Sequence, residues 1–213
     1  MQLYVMSEEG FEHIVYSRDV LEFVTVANEY CGFIENIDQF KRKDFIVRLQ
    51  KIFPLLYLKA SLLPKVESML EDEPERFMDE EDYNYLHQKI LAKLGPFDNY
   101  QEVFDPLIQL SEEPVPGSLS ENIADIYQDL KDFLLAYRIG TVEVMNDALW
   151  FCIENFENYW GQRLVNGLRH IHMLIVGSQD LDEEEKGKKE ENRDNQDWIL
   201  KNHYKDFYDE PEE

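Results

Sequence analysis

Four carboxylates, Glu121, Asp125, Asp129 and Asp132, recur at steps of four, four and three residues. On a helix that spacing sets them along one ridge. A ridge of carboxylates could hold Mg²⁺ or Mn²⁺, which take oxygen ligands. A shared ion needs a second acidic group opposite, and Glu29 and Glu67 are the candidates. A metal-dependent phosphohydrolase would then use Asp125 and Asp129 with Glu29 or Glu67. A solvated helix face accounts for the same ridge more simply, so neither a metal nor a cofactor is expected.

His170 and His172 lie two residues apart, which turns them about 200° from one another on a helix. They cannot share an ion. His172 falls toward the side of Leu168, Ile171 and Ile175, where a part-buried core histidine is expected. Its sharper use would be an acid–base dyad with Asp125 or Asp129. Arg163 and His170 fit the R-x(4–6)-H window of helical ribonuclease toxins, although Leu164 stands where those enzymes carry a polar residue. Trp160 and Arg163 flank Gly161 at an expected helix start, a place suited to an anionic ligand. Equally, the arginine could pair with the ridge carboxylates. Tyr57, Lys59 and Ser61 form one further polar group, between Pro54 and Pro64. All-helical nucleotide pyrophosphohydrolases also place carboxylates on neighbouring helices, but their E-x-x-E pairing with a following E-x-x-D is absent at matching spacing.

The groups need helices to position them, and the apolar pattern supplies these. Ser118 and Glu121 have capping-box spacing. Ile123, Ile126, Tyr127, Leu130, Phe133, Leu134 and Tyr137 follow at three- and four-residue steps, which predicts a helix ending at Gly140. Ser17 is expected to cap a helix reaching Asn36. A second is expected from Asp44, kinked or broken at Pro54. Residues 71–82 hold eight acidic residues and one basic one and read as a solvated connector. Asp79 is expected to cap a third helix, closed by Gly95 and Pro96. Residues 97–117 read as a loop with one short helical turn near 103–110. Thr141 is expected to cap a fifth helix, and Gly161 to separate it, by a bend, from a last one stopped by Gly177. No alternating runs bounded by hairpin turns occur, so strands should be scarce. The expected fold is all-α, an antiparallel bundle of five or six helices over residues 1–177.

Residues 178–213 carry 14 acidic and 6 basic residues and read as an acidic, largely disordered tail. Within it, residues 194–208 regain apolar mass and could form a short helix on the body or on a partner.

The formal net charge of the 213-residue chain is −24. Such a field repels nucleic acid and anionic membranes. Cys31 and Cys152 sit on apolar helical stripes, so reduced core thiols are expected rather than a disulfide or zinc module. The first residues lack a basic segment and do not read as a secretory signal. No apolar run nears the roughly 20 residues of a membrane span. A cytoplasmic location is expected.

YLKASLLPKVE at 57–67, GSLSENIADIYQDLKDFL at 117–134 and YWGQRLVNGLRHIHMLI at 159–175 resemble the signature blocks of a bacterial all-helical family. That family is known only as a domain of unknown function. The resemblance spans about residues 17–176 and implies the fold and a bacterial origin, with no established activity. The leading expectation is a non-enzymatic protein-binding or adaptor domain, for which the charge would suit a basic partner. A metal-dependent phosphohydrolase is the alternative, and a helical-toxin-type ribonuclease the third.

Overall fold

A computed structural model describes residues 13–71, 75–102, 116–177 and 180–182. The chain divides into two units, Met1–Gln179 and Asp180–Glu213. The elements below belong to the first. The expected short turn at 103–110 and the aromatic segment at 194–208 lie outside the described residues.

The first unit is all-α. Helix α1 (Arg18–Glu35) follows a short 3₁₀ turn (Ile14–Tyr16) that Tyr137 pins by donating its hydroxyl to the Val15 carbonyl at 2.7 Å. Next come α2 (Arg42–Ser61), α3 (Glu80–Leu94) and two three-residue strands. These are β1 (Asn99–Gln101) and β2 (Pro116–Ser118), antiparallel with Tyr100 opposite Gly117. Three helices complete the unit: α4 (Leu119–Ile139), α5 (Val142–Asn155) and α6 (Gly161–Val176).

Helix α4 is the centre, packed against α1, α3, α5 and α6, while α2 packs on α1 and α6. The reason is visible in its residues: Leu119, Ile123, Ile126, Leu130 and Phe133 are buried on one arc, and Asn122 and Ala124 widen it. Phe23, Tyr30, Phe45, Phe53 and Trp160 fill the space between rods. Tyr30 satisfies its buried hydroxyl on the Ile123 carbonyl at 2.9 Å. A buried phenol with that bond avoids the cost of an unpaired polar group.

The caps explain where the rods begin. Ser118 accepts from the Glu121 amide at 3.2 Å, and Asp79 from the Asp82 amide at 2.8 Å. Asp98 adds a second clamp on α4, taking the Ser120 amide at 2.6 Å and the Ser118 hydroxyl at 2.9 Å. Ser17 and Thr141 stand at their expected cap positions, but neither side chain makes a capping hydrogen bond. Gly140, at φ 83°, closes α4 in the left-handed conformation that glycine adopts without strain.

Two expectations are corrected. The break expected as one outcome at Pro54 does not occur: helix α2 runs through it, with Pro54 exposed while Phe53 and Leu56 stay buried. Gly161 does not separate two helices: a π turn (Phe156–Trp160) joins α5 to α6 without a break. The described residues of the acidic connector are mostly exposed, as expected, and backbone contacts tie the chain down within it and just before it. Asp147 of α5 accepts the Met69 and Leu70 amides at 2.7 and 2.8 Å, and Asp132 of α4 accepts those of Phe77 and Met78 at 2.8 and 3.0 Å.

Candidate functional site

The carboxylate ridge of α4 faces neighbouring helices, which corrects the reading of it as a solvated face. Only Glu121 is exposed; Asp125, Asp129 and Asp132 are each at least half covered. Asp125 is the hub. Its Oδ1 accepts the Tyr83 hydroxyl from α3 at 2.7 Å, and its Oδ2 accepts the Tyr159 hydroxyl from the π turn at 2.9 Å. Arg163 of α6 pairs with the same Oδ2 at 3.1 Å, its guanidinium 4.4 Å from the Tyr159 ring centre. Burial, then the hydrogen bond to Asp125, pushes the Tyr159 phenol up to about 12 and that of Tyr83 higher still. Both phenols therefore remain donors at neutral pH.

Asp129, one turn on, lives differently. It receives one neutral donor, the Asn155 amide at 2.9 Å, and its Oδ2 is buried without a partner among the described residues. Burial pushes its carboxyl up to about 7, with further upward contributions from Asp125 and Asp132. A cavity of about 10 Å³ opens beside it, lined also by Arg76, Phe133 and Cys152. That is about the room one water occupies.

The other expected groups do not join this hub. Glu29 and Glu67 are exposed, and the Glu67 contact to the bundle is through its backbone carbonyl, which accepts Asn146 Nδ2 at 2.7 Å. His172 is exposed and forms no dyad with Asp125 or Asp129, because the helix buries Ile171 and Leu174 and turns residue 172 outward. Its neighbour His170 is the half-buried histidine. Trp160 is fully buried with its ring 4.7 Å from Phe156, so it presents no ligand platform. The continuous π turn also removes the free helix start on which an anion site at Arg163 depended. Arg163 is instead spent on Asp125. Tyr57 packs edge-on to Phe156, Lys59 pairs with Glu22, and Ser61 donates to the Leu58 carbonyl at 2.8 Å. These three are engaged separately and form no common site. Among the described residues no three His, Cys, Asp or Glu side chains converge as metal ligands. Cys31 and Cys152 are free and buried, and burial pushes both thiols upward.

A relay of polar groups leads from the hub to a cleft. Arg163 also donates to Asn122 Oδ1 at 3.4 Å, and Asn122 Nδ2 donates to the Tyr100 hydroxyl at 2.5 Å. Tyr100 donates in turn to Glu102 at 3.3 Å. The Tyr100 ring stacks on His170, centres 4.9 Å apart and planes at 22°, and lies so close to Gly117 that a β-carbon there would come within 2.6 Å of it. His170 Nε2 meets the Phe97 carbonyl at 2.8 Å. A carbonyl only accepts, so Nε2 carries the proton and Nδ1 is the free acceptor of the neutral ring. Tyr100, Glu102, Asn166, Arg169, His170 and Met173 line an open cleft of about 220 Å³.

A third feature is the outer face of α2. Leu55, Leu58 and Leu62 are 45%, 51% and 47% exposed at steps of three and four, one stripe on the solvent arc. Lys51 continues that stripe toward the helix start, where Lys43 and Arg48 are also exposed. Of the five basic residues within 42–61, Arg42 is buried and Lys59 pairs with Glu22, which leaves Lys43, Arg48 and Lys51 exposed beside the exposed Asp44, in a chain whose net charge is −24.

Sequence reasoning missed Tyr83, Tyr159, Asn122, Tyr100 and Asp147. The Tyr159–Arg163 spacing of four was a readable signal for a ring–guanidinium contact. The Tyr83–Asp125 and Tyr100–Asn122 pairs depend on which helices meet, and no local spacing encodes that.

The solved structures include one of the same build. The crystal structure of protein BF1032 from Bacteroides fragilis is 40% identical, with a TM-score of 0.69, and the match covers 79% of this chain and 98% of that one. No curated protein matches the chain. Residues 14–177 match the family described as Domain of unknown function (DUF5063), and with most of the helical unit inside that match the chain belongs to this family.

Proposed function

We propose that the helical unit is a non-enzymatic protein-recognition domain, and that the outer face of α2 takes an acidic amphipathic helix from a partner. The observation that carries this reading is the Leu55, Leu58, Leu62 stripe, left exposed on a helix whose exposed charges, Lys43, Arg48 and Lys51 against Asp44, sum to net positive. Amphipathic helices dock through anchors at three- and four-residue spacing, and the basic arc selects acidic flanks. The chain's overall charge pointed to a basic partner; the local charge at this face favours an acidic one. Two ridge carboxylates, Asp125 and Asp132, support the non-catalytic side of the reading, since internal donors occupy them, as others occupy Asp147 of α5. A metal-dependent hydrolase using Asp125 and Asp129 lacks a second acidic cluster opposite, because Glu29 and Glu67 point into solvent.

Fluorescence anisotropy with two synthetic amphipathic peptides tests the proposal, one with leucines backed by glutamates and one with lysines in their place. The acidic peptide is expected to bind the full chain, more weakly as salt rises, and to lose binding to Leu58→Asp. Absence of binding, equal binding of both peptides, or unchanged binding to Leu58→Asp would remove the reading.

A further inference from the structure

We propose that the cleft between β1 and α6 is a binding site for a small zwitterion, an α-amino acid with an apolar side chain. This inference is independent of the α2 face. Four observations carry it. The first is size: about 220 Å³ lies below the roughly 300–1,000 Å³ of sites for larger organic ligands, which leaves room for one amino acid. The second is paired charge. Among the described residues Arg169, which is exposed, has no ion-pair partner, and Glu102 on the same cleft receives only the Tyr100 hydroxyl. An arginine fork takes a carboxylate in two parallel hydrogen bonds, and a carboxylate takes an ammonium.

The third observation is pre-organisation. Tyr100 is held between Gly117 and the His170 ring, and its hydroxyl is fixed by Asn122, itself fixed by Arg163 and so by Asp125. The bond to Phe97 sets the His170 tautomer and leaves Nδ1 able to accept from an ammonium. A wall locked this way loses little freedom when a ligand arrives. The fourth is the apolar lining: the exposed Met173 lines the same cleft as His170 and offers a surface suited to an aliphatic group. The net charge of −24 narrows the choice further. It opposes an anionic ligand and draws cations to the whole surface alike, whereas a zwitterion of zero net charge is held only where both of its ends are met.

The test uses amide chemical shifts of the ¹⁵N-labelled full chain titrated with L-leucine at millimolar concentration. N-acetyl-leucine lacks the ammonium and leucine methyl ester lacks the carboxylate. L-leucine is expected to shift resonances of β1 and α6 around Tyr100, Asn166 and His170, with each blocked analogue weaker by about tenfold or more. Arg169→Ala and Glu102→Gln, both at the cleft rim, are expected to weaken L-leucine by a similar factor while leaving the remaining spectrum in place. No response to L-leucine at β1 and α6 would overturn the proposal. So would equal responses to all three compounds, or variants that bind as the native chain does.

Discussion

Asp125 and Asp129 stand one helical turn apart on α4 and have opposite environments. Asp125 receives two phenol hydroxyls and a guanidinium, so its charge is matched in place. Removing it leaves Arg163 part-buried without its partner and two phenols without acceptors, and breaking such a pair costs more than the pair contributes. Asp125→Ala is therefore expected to lower unfolding stability by about 2–4 kcal/mol, measured by urea denaturation. Asp129 has a single neutral donor, and burial raises its carboxyl from 3.8 to about 7. Because the folded value is the higher one, folding favours the protonated form. The penalty is absent below about pH 4 and grows until about pH 7, so stability falls as pH rises through that window. Asn at this position keeps an acceptor for Asn155 without a charge. Asp129→Asn is expected to be more stable than the native chain by roughly 1–3 kcal/mol at pH 8, with the gain vanishing near pH 4.

At the scale of elements, the π turn and the connector strap determine what meets what. In the π turn the Gly161 amide reaches back five residues to the Phe156 carbonyl. This is equivalent to inserting one residue, and it rotates everything after it by about 100° relative to an unbroken α-helix. Arg163 reaches Asp125 because of that rotation. A β-carbon at Gly161 would lie 2.4 Å from the Phe156 carbonyl oxygen, so Gly161→Ala must distort the turn. A loss of about 2 kcal/mol or more is expected, with the Tyr159 and Arg163 resonances shifted as their contact to Asp125 fails. The strap rests on Asp147. Burial favours its neutral form, but hydrogen bonds from the Met69 and Leu70 amides, Asn146 and Ser68 outweigh burial and lower its value. The strap is therefore secure above the ordinary carboxylate range and loosens as pH falls through the lowered value. In Asp147→Ala the amides of Met69 and Leu70 are expected to exchange with solvent at least about tenfold faster than in the native chain, read by hydrogen exchange.

Over the whole molecule, 45 acidic residues against 21 basic ones create strong self-repulsion. Screening relieves it, because the Debye length shrinks from about 30 Å at 0.01 M salt to about 8 Å at 0.15 M. The thermal midpoint is expected to rise between those two salt concentrations, as measured by calorimetry; a fall would show that surface ion pairs such as Lys89–Asp38 and Lys131–Glu35 outweigh the repulsion. Against this background the basic α2 face is the local exception. It also carries the exposed Leu55, Leu58 and Leu62, and the proposed recognition of an acidic helix rests on that pairing of charge and apolarity.

The linear chain determined its helices wherever a signal lies within a few residues. The capping serines and aspartates at 118 and 79, the glycine at 140 and the three- and four-residue apolar steps specify α1, α3 and α4 almost to their ends, since caps and periodicity act over one or two turns. Pro54 and Gly161 misled for a physical reason: packing of Phe53 and Leu56 outweighs a lost backbone bond, and a π turn absorbs the glycine that an α-helix would have ended on. His172 turns outward because the buried arc of α6 runs through Leu164, Gly167, Ile171 and Leu174. Only the folded arrangement decided that Asp125 faces two tyrosines and an arginine from three other elements, that Asp129 receives a single neutral donor, and that Tyr100 seats between Gly117 and His170. Partners 22 to 42 residues apart, such as Tyr100–Asn122, Tyr83–Asp125 and Asp125–Tyr159, meet through packing between elements that local spacing leaves free. Their electrostatics are likewise set by neighbours brought in by packing, not by the residues beside them in the chain.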